Sequence, residues 1–182
     1  YNDYIDRDID GQVARTASRP IPSGQVTPQG AIYFIILCGL IGLAVLINFN
    51  TFTVVLCISS LLLVALYPFA KRIMPYPQLV LGLVFNWGAL AGWAAVKGSL
   101  DWPPFLLYLG CVLWTIGYDT IYAHQDKEDD ALLGLGSTAL LFGENTGSIV
   151  GALYLGAVVF WLAAGALAGT HLIFFLAVTL VF

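Results

Sequence analysis

The chain has 182 residues, 59% of them hydrophobic and 10% charged, with a formal net charge of −4. A mean hydropathy of +0.86 excludes an ordinary soluble domain and places the chain with integral membrane proteins. No basic tract is present to meet nucleic acid. The three cysteines, Cys38, Cys57 and Cys111, lack metal-ligand spacing and read as small core residues.

In chain order, residues 1–11 read as the end of a helix carrying N-D-Y-I-D-R-D-I-D from Asn2 to Asp10. Asn2, Asp6 and Asp10 recur at every fourth position, so on a helix they form one stripe. A loop marked by Pro20, Pro22 and Gly24 follows. It holds Arg15 and Arg19, whose guanidinium forks suit phosphate oxygens and equally suit lipid headgroups. A bilayer-spanning helix needs roughly 20 apolar residues. Five segments meet that need, at about 30–49, 52–70, 78–97, 103–123 and 148–169, and a sixth begins near 171.

The second segment ends in Y-P-F-A-K-R, which places Tyr67 and Lys71 one helical turn apart. Lys71 is a candidate phosphate contact, and Arg72 is either the same or a snorkelling anchor. The third segment holds Asn86-Trp87-Gly88 and Gly92-Trp93. Its rings suit packing and also suit the stabilisation of a cation. Asn86, at membrane depth, requires a partner, because burying an amide unpaired is expensive. The fourth segment runs into Y-D-T-I-Y-A-H-Q-D-K-E-D-D, from Tyr118 to Asp130. Asp119, Tyr122, Asp126 and Asp130 there fall near a second helical stripe. His124 lies inside this stretch and reads as a polar rim residue.

Counting crossings assigns these motifs to sides. If the first acidic motif faces one side, successive spans return Lys71 and Arg72 to it, and then the second acidic motif. Arg7, Arg15, Arg19, Lys71, Arg72 and Lys127 all land together, and Lys97 lands opposite. The positive-inside rule puts the first face in the cytoplasm or its organellar equivalent.

Carboxylates at i, i+4 repel one another on a bare helix, and a shared cation removes that penalty. Hard dications take oxygen ligands, and Mg²⁺ keeps some water and accepts phosphate oxygens as further ligands. Two acidic stripes on one membrane face therefore predict a magnesium-dependent diphosphate site. A single acidic run would read as a solvated helix end. D-R-D-I-D-G, from Asp6 to Gly11, imitates the start of a calcium loop. The twelfth position is Ala17 rather than glutamate, and that reading is rejected.

The motif Asn2-Asp3-x-x-Asp6-x-x-x-Asp10 resembles the first aspartate-rich motif of the UbiA family of intramembrane aromatic prenyltransferases. Asp119-x-x-Tyr122-Ala123-x-x-Asp126-x-x-x-Asp130 resembles the second. Within the family, R-T-A-S-R-P-I-P-S-G, Y-P-F-A-K-R and Y-D-T-I-Y-A-H-Q-D-K-E-D-D are similar to the branch that prenylates 4-hydroxybenzoate in ubiquinone synthesis. P-Q-L-V-L-G-L-V-F-N-W-G-A-L-A-G-W and G-S-T-A-L-L-F-G-E-N-T are similar to its mitochondrial and alphaproteobacterial members. The resemblance covers nearly the whole chain.

It implies an all-α, polytopic transmembrane bundle, here a fragment of a nine-helix fold, with residues 1–182 forming a single membrane domain truncated at both ends. It implies Mg²⁺ held by Asn2, Asp6, Asp10, Asp119 and Asp126, with Asp130 in support. Arg15, Arg19 and Lys71 would bind the diphosphate, with Asn2, Tyr67 and Tyr122 beside it. Asp6, Asp10, Asp119 and Asp126 would be the catalytic carboxylates. The implied substrates are a polyprenyl diphosphate and 4-hydroxybenzoate, in a bacterial inner membrane or, alternatively, a mitochondrial one. A sister enzyme with another aromatic acceptor is the nearest alternative. A cation transporter would want acids at membrane depth along a path, whereas these lie at one face. A structural subunit would leave both stripes unexplained.

Overall fold

A computed structural model describes residues 1–181, and every regular element among them is helical. In chain order they are α1 (Asn2–Asp10), α2 (Pro28–Leu46), α3 (Thr51–Ile73), α4 (Pro77–Phe85), α5 (Trp87–Lys97) and α6 (Trp102–Ala123). A 3₁₀ turn over His124–Asp126 leads into α7 (Lys127–Leu133) and α8 (Thr138–Phe142). A second 3₁₀ turn, Gly143–Asn145, leads into α9 (Thr146–Ala168) and α10 (Leu172–Val181). Among the described residues, five stretches are long and apolar enough to cross a membrane: Pro28–Leu46, Thr51–Ile73, Pro77–Lys97, Trp102–Leu133 and Thr138–Ala168. These match the five segments expected from hydropathy: the first three differ by at most three residues at either end, while the fourth runs ten residues further, to Leu133, and the fifth begins ten residues earlier, at Thr138.

The chain forms two compact units, Tyr1–Phe49 and Asn50–Phe182. In the first, α1 and α2 are joined by a run of turns. Pro28 opens α2, and Thr27 caps it by accepting the Gly30 N–H at 3.1 Å. α2 is apolar on every side and has no buried residue. A helix of that kind is suited to lipid, because its backbone polar groups are satisfied within the helix. Cys38 is exposed on this helix, while Cys57 and Cys111 are half-buried. The expectation of three core cysteines is therefore corrected: Cys38 lies on a helix that buries nothing.

The second unit is organised by α6 and α9, which pack along one another. Small residues make this possible. Gly110 lies under the Trp161 ring and Gly117 under the Tyr154 ring. Trp114 stacks between them, with centroids 4.4 Å from Tyr154 and 5.7 Å from Trp161. Such small-residue contacts let membrane helices approach closely where no hydrophobic force draws them together. On the other side of α6, Gly82 of α4 packs against Val112.

The third span is broken at Asn86, between α4 and α5. The expected partners of its amide are present. Nδ2 donates to the Gly82 carbonyl at 2.8 Å, to Cys111 at 3.1 Å and to Thr115 Oγ1 at 2.7 Å. Trp87 donates to the Leu56 carbonyl at 3.0 Å and meets Tyr108 edge-on. Its ring is thus committed to packing α5 on α3 and α6.

Candidate active site

In the first unit, the acidic motif sorts its carboxylates by face. Asp6 is 1% exposed and Asp10 is 5% exposed, whereas Asp3 and Asp8 are exposed. Asn2 is half-buried on the same side. A solvated helix end would leave all of them in water, so the stripe is a built face.

The chain then turns back on itself. Thr16 Oγ1 donates to the Asp10 carbonyl at 2.9 Å, and the Arg19 N–H donates to Thr16 at 3.0 Å. This turn carries the Arg19 guanidinium to Asp10 Oδ2 at 2.8 Å and to Asp3 Oδ1 at 3.3 Å. Arg19 is therefore held on the carboxylates of its own motif. Arg15 is exposed on the intervening turn. Arg7 is occupied elsewhere, donating to the Tyr4 carbonyl at 2.8 Å.

In the second unit, Asp119 lies half-buried near the end of α6, and Tyr122 is 51% exposed one turn on. The stripe expected over Asp119, Tyr122, Asp126 and Asp130 does not run along one continuous α-helix. α6 ends at Ala123, Asp126 closes a 3₁₀ turn, and Asp130 sits in the first turn of α7. Asp126 has φ −108° and ψ 9°, outside helical values, so the register changes there. Glu128, Asp129 and Asp130 at the start of α7 complement the positive end of its dipole. Asp126 and Asp130 are both half-buried. His124 faces Thr146 Oγ1 at 3.2 Å, which fits a rim residue.

After α7 the chain is tied to the end of α3. Gly134 ends α7 in the left-handed conformation at φ 66°, where glycine carries no Cβ penalty. The Gly136 N–H then donates to the Lys71 carbonyl at 2.6 Å. Lys71 and Tyr67, half-buried in the last turns of α3, are thereby brought to the loop that follows the second acidic motif. A Cβ on Gly136 would overlap the Met74 carbonyl and stand 3.0 Å from Pro75 Cα. Backbone cannot swing aside as a side chain does. We expect Gly136→Ala to cost about 1–3 kcal/mol by overpacking, read as a lower thermal midpoint in detergent. An unchanged midpoint would show that the loop is not held here.

One residue escaped the sequence reading. Gln78, in the first turn of α4, is 6% exposed. Its Oε1 accepts the Thr138 N–H at 3.1 Å, which ties α4 to α8. A polar amide in the first turn of an otherwise apolar helix, just after Pro75-Tyr76-Pro77, was the available signal.

Among the described residues, no three His, Cys, Asp or Glu side chains gather into a ready-made metal centre. The donors that the motifs do supply are carboxylate and amide oxygens, the chemistry that Mg²⁺ prefers. An ion that keeps water and takes phosphate oxygens needs only one or two carboxylates from the protein. The residues therefore fit magnesium delivered with a diphosphate better than magnesium stored beforehand.

The UbiA prenyltransferase family matches residues 1–182, the whole length of the chain. The chain belongs to the UbiA prenyltransferase family. The 4-hydroxybenzoate polyprenyltransferase, mitochondrial, of Aedes aegypti is 56% identical over 146 residues, covering 80% of this chain and 33% of the relative. Its counterpart of the same name in Rattus norvegicus is 49% identical over 185 aligned positions, covering 94% of this chain and 50% of the relative. The chain thus spans a third to a half of the length of these curated relatives. Among solved structures, the apo structure of a UbiA homolog from Aeropyrum pernix K1 superposes with a TM-score of 0.86 at 30% identity, over 99% of this chain and 69% of that one. The all-helical membrane bundle is therefore the UbiA fold, present here in part.

Proposed function

We propose that the full-length protein transfers a polyprenyl group from its diphosphate to the ring carbon ortho to the hydroxyl of 4-hydroxybenzoate, a magnesium-dependent step of ubiquinone synthesis. The observation that carries this reading is the sorting of the first motif, with Asp6 and Asp10 buried while Asp3 and Asp8 face out. The names of the similar proteins supply the acceptor. Residues 1–182 are read as one membrane domain of that enzyme.

Magnesium, when bound, would neutralise charge on the leaving diphosphate. Asn2, Asp6, Asp10, Asp119 and Asp126 would hold it, with Asp130 in support. The crossing count, which returns both motifs to one membrane face, supports their joint use. Arg15, Arg19 and Lys71 would draw the remaining phosphate charge, with Tyr67 and Tyr122 beside them. The allylic C–O bond then breaks with its electron pair leaving on the diphosphate, an electrostatically assisted departure. The ortho carbon of the acceptor forms the new C–C bond, and its proton passes to a carboxylate or a diphosphate oxygen. The apolar prenyl tail remains among lipid-facing helices.

The test is an assay of the full-length protein in membranes with 4-hydroxybenzoate, homogentisate and a dihydroxynaphthoate as competing acceptors. We expect prenylation of 4-hydroxybenzoate to dominate. Preference for another acceptor would move the protein to a sister branch, and no transfer to any of them would overturn the reading. The relatives' names favour a mitochondrial inner membrane over the bacterial one first expected, and fractionation of the source cells decides between them.

A further inference from the structure

We propose that Asn86 accepts a hydrogen bond from the phenolic hydroxyl of the aromatic substrate and so sets which ring carbon meets the prenyl group. This rests on the reading above, in which the acceptor is 4-hydroxybenzoate.

The orientation of the Asn86 amide is fixed by its partners. The Gly82 and Cys111 carbonyls can only accept, so the atom that meets them at 2.8 and 3.1 Å is the nitrogen. The same nitrogen reaches Thr115 Oγ1 at 2.7 Å. Its hydrogens are thus spent on α4 and α6, and the amide oxygen is left over. Among the described residues nothing donates to that oxygen, and it is not sealed from its surroundings. Trp87 and Tyr108, which meet at the same break, are committed to the Leu56 and Leu83 carbonyls. An amide oxygen without a donor is costly at bilayer depth, and a bound hydroxyl removes that cost.

Its place fits the reaction. Thr115 lies four residues before Asp119, on the same face of α6 and about 6 Å deeper along the axis. Asn86 is therefore anchored one turn below a carboxylate proposed for the metal. Chemistry then selects the ligand. An amide oxygen only accepts. The diphosphate and the aromatic carboxylate are acceptors as well, and the prenyl tail has no polar hydrogen. Of the groups on the two substrates, only the phenolic hydroxyl donates. Held there, the hydroxyl keeps its proton while its O–H bond is polarised, which enriches the ortho carbon that attacks.

The experiment measures binding of 4-hydroxybenzoate, and of benzoate, which lacks the hydroxyl, to the full-length protein in nanodiscs by titration calorimetry, beside melting curves. Mg²⁺ and a non-cleavable thio analogue of a prenyl diphosphate are present throughout. The parent is expected to bind 4-hydroxybenzoate about tenfold more tightly than benzoate. Asn86→Leu is expected to erase that preference by weakening 4-hydroxybenzoate alone. Asn86→Ser can still donate to the Gly82 carbonyl one turn back, but it withdraws the amide oxygen and is expected to erase the preference too. It stands in for Asn86→Leu if that variant does not fold. Thr115→Val removes a partner of the amide nitrogen and leaves the oxygen, so it should lower the melting temperature and keep the preference. A preference retained in a folded Asn86 variant overturns the proposal, as does equal binding of the two ligands by the parent. So does an equal loss of preference in Thr115→Val, which would make the amide a packing device only. Absence of any 4-hydroxybenzoate binding to the parent is instead recognisable as a failure of the underlying reading.

Discussion

Asp6→Ala in the full-length enzyme is expected to abolish prenyl transfer almost completely, and Asp126→Ala to do the same. The loss should exceed the roughly 10–100-fold that removing a ligand's hydrogen-bond partner costs a metal site, because in the proposed mechanism a ligand itself is lost. Asp6 is the most buried carboxylate of the first motif, and a charge placed there without a task would be costly to fold around. Asp126 closes the turn at which the second motif leaves α6. Turnover should likewise stop in EDTA and return with added Mg²⁺. Asp3→Ala and Asp8→Ala, on the exposed face of the same helix, provide the contrast: both should fold and remain metal-responsive. Near-parent rates in Asp6→Ala and Asp126→Ala, or full turnover in EDTA, would remove the carboxylates from the chemistry.

Much of this was legible in the chain because it is local or periodic. The spacing of Asn2, Asp6 and Asp10 predicts one face of α1, and burial follows that face. The span lengths follow from apolar runs of membrane length. What the sequence hid depends on partners far along the chain or on a change of helical register. No proline or glycine marks the change from α6 to the 3₁₀ turn at His124, so a stripe counted at α-helical spacing runs past it. The partner of Gln78 is Thr138, sixty residues later on a different helix. The close approach of Gly136 to Met74 is likewise a tertiary fact with no local pattern. The guanidinium fork of Arg19 and the family resemblance both point to a phosphate contact. Its place on Asp10 comes from a turn tied by Thr16, which composition does not reveal.

That pairing sharpens the second large prediction, the loss of diphosphate affinity in Arg19→Ala and Lys71→Ala. Arg19 bridges Asp10 and Asp3 with one guanidinium nitrogen, leaving other N–H groups of the fork to donate to a phosphate oxygen. Lys71 offers a compact ammonium at the end of α3, where its position complements the helix dipole. Losing one charge-assisted contact costs about 1.5–3 kcal/mol, which is roughly tenfold to a hundredfold in the affected constant. The loss should fall on the prenyl diphosphate KM or on the ionisation step, with the KM for 4-hydroxybenzoate little changed. Arg19→Lys should recover part of the loss, because it keeps the charge without the fork. A purely structural Arg19 would behave differently. Its removal would leave Asp10 buried without its cation, lower the melting temperature, and leave the kinetics of the surviving folded enzyme normal. Kinetics normalised to folded protein in membranes, measured beside melting curves, separate the two roles. If the aromatic acid's constant alone moves, Arg19 and Lys71 belong to the acceptor pocket and the diphosphate assignment is wrong.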